Sequence, residues 1–311
     1  MSVVYRTFDR AMLPEYIRVK DDSGKEMPQY QAESVERMEV YFLKDPDFDP
    51  EGIFLAFRDG RMVGFSEAEI QKTRIEAGMS QGFVGVEVVP SERGQGVEEV
   101  LMSKALGYLR TNGIREAIYG FHPHIPWRLK LANGSGFAYL RRFYRLKRGM
   151  AAPVPDVPFP GGIDVERVPG RNAPKDYVLE WAETFNRAFV DHFNFAPSDP
   201  QNFLNWTEVP GENLVFALAR AGGKPVGVCL SEIEHGTDGG TGWVDILGVV
   251  PEARRNGLGR ALLADGLRWI SSQRAKEALL GVDAQNEKAL TLYRSLGFEP
   301  MTESHVYNRI L

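Results

Sequence analysis

The chain has 311 residues, room for two ordinary domains, and its 43% hydrophobic and 25% charged residues mark a globular protein rather than a disordered or fibrous one. A formal net charge of -5 supplies no basic field for a polyanionic duplex, so no nucleic-acid partner is expected. The opening MSVVYRTFDR lacks a basic region followed by an apolar run, and no stretch has the ~20 uninterrupted apolar residues that cross a bilayer, so no membrane partner and a cytoplasmic location are expected. Cys229 is the only cysteine, which excludes an intrachain disulfide and a thiolate metal cluster, and its apolar setting from Val226 to Leu230 reads as a buried small hydrophobe.

In chain order, the first apolar hairpin is FLAFRDGRMVGFSEAEI around Asp59-Gly60. A strand ending at Pro90 and a helix follow, and then His122-Pro123-His124, two histidines without the further ligand that a closed zinc site needs. The segment from Ala151 to Gly162 holds four prolines and ends on two glycines, which disfavours helix and sheet alike and marks a linker. The expected division is an N-terminal domain over 1–150, the linker over 151–161 and a C-terminal domain over 162–311.

The C-terminal half repeats the order. A hairpin around Gly222-Gly223 leads to a strand ending at Pro251 and a helix with Leu258, Leu262, Leu267 and Ile270 at helical spacing. A strand from Ala278 to Val282, another helix and a last strand after Gly297 complete it. Pro90 and Pro251, Arg93 and Arg254, Gly96 and Gly257, and Gly136 and Gly297 all stand 161 positions apart, which four chance matches would not do. Each half reads as a mixed α/β sheet covered by helices.

Two stretches of the second half carry chemistry. In Pro251-Glu252-Ala253-Arg254-Arg255-Asn256-Gly257-Leu258-Gly259-Arg260 a glycine-rich turn feeds a helix N-terminus, leaving backbone N–H groups pointing outward at the positive end of the helix dipole. Gly257 and Gly259 let a pyrophosphate approach, and Arg254, Arg255 or Arg260 add counter-charge. In the second stretch, Asn286 caps a helix that Gly297 ends, with Tyr293 two turns beyond the cap.

The pattern P-x-x-R-x-x-G-x-G after a strand, followed by N-x-x-A-x-x-L-Y-x-x-x-G-F, resembles the GNAT superfamily of N-acetyltransferases, and the tandem arrangement resembles its mycothiol synthase type. The resemblance implies two GNAT-like acyltransferase domains and acetyl-coenzyme A as cosubstrate, with no metal. It implies a pyrophosphate site on Arg254, Arg255, Asn256, Gly257, Leu258, Gly259 and Arg260. It further implies pantetheine and acetyl contacts along Leu247, Gly248 and Val249, a coenzyme or substrate contact at Asn286, and Tyr293 as the acid that protonates the leaving thiolate.

A general base is less directly read, because Trp243 stands where many relatives carry glutamate. Asp245, two residues on and expected on the same strand face, is one candidate; Glu232, Glu234 and His235 are others. A salt-bridged or solvent-facing role for Asp245 stays open beside the catalytic one. Aligned at 161, the first half sets Glu98 opposite Gly259, Ala132 opposite Tyr293, Ile125 opposite Asn286 and Val84 opposite Asp245, so it reads as a degenerate copy.

The expected function is acetyl transfer to a primary amine of a small molecule by direct attack, with the segment from Phe185 to Trp206 either lining the acceptor pocket or packing against the sheet. The alternatives are a non-catalytic coenzyme A sensor or assembly module, and an acetyltransferase acting on peptides. A monomer or a homodimer is expected.

Overall fold

The structure, a computed structural model, describes residues 2–27, 30–209, 213–234 and 240–311; His235 lies outside them. Two compact units result. Unit 1 is made of Met1–Phe143 together with Glu303–Leu311, and unit 2 of Tyr144–Thr302.

Unit 1 runs β1 (Val4–Thr7), α1 (Leu13–Gly24), α2 (Val35–Tyr41), β2 (Ile53–Arg58), β3 (Arg61–Glu69), α3 (Lys72–Glu76), β4 (Gln81–Val88), α4 (Val97–Thr111), β5 (Glu116–Phe121), α5 (Pro126–Gly134) and the start of β6 (Ala138–Gly149). Unit 2 takes the end of β6, then β7 (Ile163–Pro169), α6 (Lys175–Ala188), α7 (Pro200–Glu208), β8 (Asn213–Ala221), β9 (Lys224–Ile233), β10 (Thr241–Val249), α8 (Leu258–Ser272), β11 (Glu277–Asp283), α9 (Glu287–Ser295) and the start of β12 (Glu299–Ile310). Each is the mixed α/β sheet expected. In both, antiparallel strands lead to one parallel pair, β4 with β5 and β10 with β11, and each pair is joined through a long helix, α4 or α8.

Local chemistry explains the elements. Both hairpin turns hold two residues at positive φ, Asp59 and Gly60 (52° and 79°), Gly222 and Gly223 (54° and 81°), the geometry whose twist matches the flanking strands. Leu258, Leu262, Leu267 and Ile270 line the buried face of α8, where each contributes roughly 1.5–3 kcal/mol of apolar burial. Residues 151–162 form neither helix nor strand.

The units are completed by strands from the far end of the other half. Residues from His305 to Ile310 of β12 pair antiparallel with β5, and Tyr307 lies in the core of unit 1. Leu146 of β6 lies in the core of unit 2. The linker therefore falls inside unit 2, and Glu303–Leu311 belong with unit 1 rather than with the C-terminal unit in which the linker alone would place them.

The duplicated helices α4 and α8, and α5 and α9, start 161 residues apart and have equal lengths. From β4 and β10 to the last strands the offset fails only at the start of β10, whereas the hairpin turns before them, Asp59-Gly60 and Gly222-Gly223, stand 163 apart. Gly82 and Gly242 are 160 apart, yet a Cβ on them would strike Leu109 and Ile270, which are 161 apart. The extra residue is Asp245: Val244 pairs with Ser231 and Ile246 with Leu230, a β-bulge that leaves Asp245 without a partner on β9. Val84 is thus the counterpart of Val244, not of Asp245, which corrects the ungapped alignment.

Arg148 and Arg309 fasten the exchanged strands. The buried Arg148 guanidinium donates to the carbonyls of Leu296 (2.8 Å), Ala152 (3.1 Å) and Pro153 (2.9 Å) with no carboxylate partner among the described residues, and burial lowers its pKa. Arg309 donates likewise to the Ser135 carbonyl, 161 residues before Leu296. Arg148→Met should lower the unfolding free energy by about 3 kcal/mol, since it strands three carbonyls and removes charge-assisted bonds. Denaturant unfolding of the full chain checks this, and a change under about 1 kcal/mol would show the carbonyls to be solvated instead.

Candidate functional site

In unit 2 the parallel pairing of β10 with β11 stops at Trp243 opposite Leu279, although both strands continue. The far edge of β10 stays paired with β9 through Val249, and Val250 N–H bonds to the Val226 carbonyl. Alternation along the strand then turns the backbone groups of Leu247 and Val249 toward the splay. The Val249 carbonyl accepts from Arg254 Nε (2.9 Å), and among the described residues the Leu247 N–H and C=O and the Val249 N–H have no partner. An extended polar chain laid into the splay would find a strand edge to bond. Gly248 serves a different need, because a Cβ there would stand 2.6 Å from the Phe189 ring and 2.9 Å from Ala188.

Beyond β10 the chain turns through a short 3-10 turn, Pro251–Ala253, into α8. Gly257 caps the helix at φ 91°, and Arg255 holds φ 67°, a left-handed conformation that costs a non-glycine residue about 1 kcal/mol. Asn256 Oδ1 accepts the Leu258 N–H (3.0 Å). The N–H groups of Arg255, Asn256, Gly257, Gly259 and Arg260 have no acceptor among the described residues. Gly259 has ordinary φ and room for a Cβ, which would meet only Val249 and Leu292 at 3.7 and 3.8 Å, so nothing in the protein itself requires glycine there. Its absence of a side chain keeps the N–H cradle open.

The counterpart turn in unit 1 shows what the cradle takes. Glu98, in the place of Gly259, is buried and folds back so that its Oε1 accepts the Gly94 N–H at 2.6 Å; Gly94 is the counterpart of Arg255. A carboxylate thus sits where the resemblance expects a phosphate, so the geometry of this turn suits an anionic group.

Arg254 is engaged elsewhere. Besides Val249 it bonds the Ala188 carbonyl (2.9 Å) and both oxygens of Asp191 (2.5 and 2.8 Å). Arg93 repeats this in unit 1, with the Val88 carbonyl (2.9 Å), the Ser23 carbonyl (3.4 Å) and Glu26 (2.8 Å). A contact kept in both copies is a clamp tying the helix end to the strand end, which leaves Arg255 and Arg260, both exposed, as the cations at the cradle.

On α9, Asn286 Oδ1 caps the helix by accepting the Ala289 N–H (3.1 Å), and Gly297 ends it at φ 84°. Tyr293 is buried in the core of unit 2, and burial, with Cys229 nearby, pushes its hydroxyl up to about 12, so it holds its proton at neutral pH. Cys229 is itself buried and pairs with Leu247 on the sheet, and no hydrogen bond to a described residue occupies the Tyr293 hydroxyl.

The bulge leaves Asp245 partly exposed at the splay, with protein packed around its carboxyl. Surrounding protein, and then the carboxylates of Glu232 and Glu234, raise its pKa well above the ordinary aspartate value. Glu234 is more committed. Burial raises it, while Trp243 and Arg145, whose guanidinium lies 4.8 Å over the Trp243 ring, hold it back toward the charged form. Sequence reasoning missed Arg145 and Asp191, which lie outside the two motifs.

Between Phe185 and Trp206 most aromatics pack: Phe203 is buried with Trp181 and Phe216, and Phe185 meets Trp181 and Phe189. His192 lies against Phe189, with its pKa lowered by burial. A groove of about 570 Å³ runs beside Asn186, Arg187, Val190 and Pro251, residues of the 185–206 segment and of the turn before α8, and neither Arg254 to Arg260 nor Glu234, Asp245, Asn286 or Tyr293 lines it.

With this geometry in place, comparison decides the family. The acetyltransferase (GNAT) family model matches residues 18–124 and again 177–298. The chain belongs to the GNAT family. A mycothiol acetyltransferase of Thermobispora bispora is 31% identical over 227 residues, 71% of this chain and 74% of the relative. One of Salinispora arenicola is 28% identical over 274 residues, 86% and 84% of the two chains. A tandem GNAT protein from the clavulanic acid biosynthesis pathway shares the fold with a TM-score of 0.76 at 15% identity, covering 99% of this chain and 98% of that one. A GCN5-related N-acetyltransferase from Sphaerobacter thermophilus does so with a TM-score of 0.71 at 19% identity, over 99% and 95%. This GNAT chain is an N-acetyltransferase resembling the tandem mycothiol synthase type. No described helix is long and apolar enough to cross a membrane.

The clamp reading predicts that Arg254→Met and Arg93→Met each lower the unfolding free energy by a similar amount, about 1–2 kcal/mol, because both pairs are partly exposed. If Arg254→Met weakened only coenzyme binding and left stability unchanged, the arginine would be a phosphate ligand. Arg255→Gly should instead raise stability by about 0.5–1 kcal/mol in thermal unfolding, by relieving its left-handed backbone, while weakening affinity for acetyl-coenzyme A.

Proposed function

We propose that unit 2 transfers an acetyl group from acetyl-coenzyme A to a primary amine of a small molecule by direct attack. The observation that carries this is the open N–H cradle of Arg255 to Arg260 continuous with the unpaired edge of β10, which together suit a pyrophosphate followed by an extended amide-bearing arm. The names of the relatives support a small acceptor.

Acetyl-coenzyme A supplies the thioester. The Leu247 backbone and the Val249 N–H orient its arm, and the Val249 N–H is placed to donate to the carbonyl oxygen as negative charge grows there. The amine nitrogen bonds to the carbonyl carbon as the carbon–sulfur bond breaks. Asp245 accepts the amine proton, its raised pKa bringing it nearer the working pH, and Tyr293 gives its proton to the departing sulfur. Glu234, held by Trp243 and Arg145, orients the cluster, with Asp245 as the base.

Tyr293→Phe should lower turnover ~100-fold or more while leaving the dissociation constant for coenzyme A within about threefold, read by thiol release and by calorimetry. Unchanged turnover would remove Tyr293 from the reaction. Since Asp245 accepts a proton only above its raised pKa, the rate should fall as pH drops through that value, and Asp245→Asn should lower the rate and flatten this acid limb. A panel of small amines and of peptides, assayed side by side, decides the acceptor class; preference for peptides would overturn the small-molecule assignment.

A further inference from the structure

Unit 1 keeps the shape of the site and fills it with its own side chains. Gly94 and Gly96 retain positive φ (74° and 86°), so the turn before α4 has the geometry of the turn before α8. Within it Glu98 is 5% exposed; one oxygen takes the Gly94 N–H, and the other is buried without a partner, pointing to a carboxylate held in place by the turn itself.

The strand edge is filled as well. The splay of β4 from β5 begins after Val84 opposite Tyr119. The Val86 carbonyl, counterpart of the free Leu247 carbonyl, accepts from Arg128 Nη1 at 3.2 Å. Arg128 is 4% exposed and also donates to both oxygens of Glu87 (2.8 and 2.7 Å). Arg128 stands on α5 where α9 has Ala289, and Glu87 on β4 where β10 has Gly248, so an ion pair of a buried arginine and a half-buried glutamate replaces two small residues. Trp127, counterpart of Lys288, lies 4.8 Å from both the Arg93 and the Arg128 guanidinium and bonds Glu26 (2.9 Å), covering the pair. An arm entering the splay would have to displace a hydrogen-bonded ion pair built on the buried Arg128, and a pyrophosphate would have to displace the buried Glu98 carboxylate.

We infer that unit 1 is closed to coenzyme A by an internal anion, Glu98, and an internal plug, Arg128–Glu87 under Trp127, so that each chain binds one coenzyme, in unit 2. This rests on the coenzyme reading of unit 2 given above.

Calorimetric titration of the full chain with coenzyme A should give one site per chain. Gly259→Glu transplants the internal anion: the position has room for the side chain, and the new carboxylate can accept the Arg255 N–H as Glu98 accepts that of Gly94. Binding heat should vanish in this variant while its melting temperature holds. Arg255→Glu, a change at an exposed position, should weaken the single site and covers the case in which Gly259→Glu fails to fold. Two sites in the wild type, or one site unaffected by the unit 2 changes, would overturn the inference. No binding at all in the wild type would instead overturn the coenzyme reading of unit 2, and the stoichiometry of one with it.

Discussion

A backbone N–H or C=O that leaves water has to find a partner, and the places where β10 and the start of α8 offer unpaired groups organise unit 2. Past Trp243 the strand loses β11 on one side while β9 holds it on the other, so the groups of Leu247 and Val249 face a gap whose lining is fixed. The turn from Pro251 to Gly257 carries that row of unpaired groups directly into a helix N-terminus, with Arg254 pinning the strand end to the end of α6. α9 brings Leu292 against Gly259 and Tyr293 into the core beside Cys229. Cradle, strand edge and the Tyr293 hydroxyl are thus held by rigid elements, as the proposed transfer, which must place reacting atoms to a fraction of an ångström, requires.

Much of this was legible because it depends on local chemistry. Glycines at positive φ, the Asn286 cap and the apolar stripe of α8 each follow from a few neighbouring residues, and the 161-residue offset follows from their repetition. What was not legible depends on pairing across the sheet. A one-residue bulge does not show in a motif, so Asp245 was aligned with Val84 when it has no counterpart at all. Arg254 looked like counter-charge for phosphate, since nothing in its own motif names Asp191 or the Ala188 carbonyl; its presence in both copies was the available signal. Glu98 opposite Gly259 shows in the sequence only as a departure from the motif, whereas its side chain supplies the turn with the anion it favours.

The two units show how one backbone serves opposite ends. In unit 2, small residues at Gly259 and Ala289 leave open groups whose counterparts in unit 1 are taken by side chains, while Gly248 makes room for Phe189 and Ala188. In unit 1, Glu87, Glu98 and Arg128 at the matching places satisfy them internally, adding a buried ionic cluster whose loss of one member would be severe. The glycines of the unit 1 turn persist because the turn geometry, not the ligand, requires them.

The exchange of end strands gives the chain a topology in which linker and unit boundary do not coincide. A cut within residues 151–162 would leave a first fragment carrying the β6 residues that unit 2 needs and a second carrying the β12 residues that unit 1 needs. Each fragment would present an unpaired strand edge and hold the strand that covers the other's. The chain is therefore better regarded as two mutually complementary halves than as two beads on a string, and its natural dissection products are partners that must find each other again.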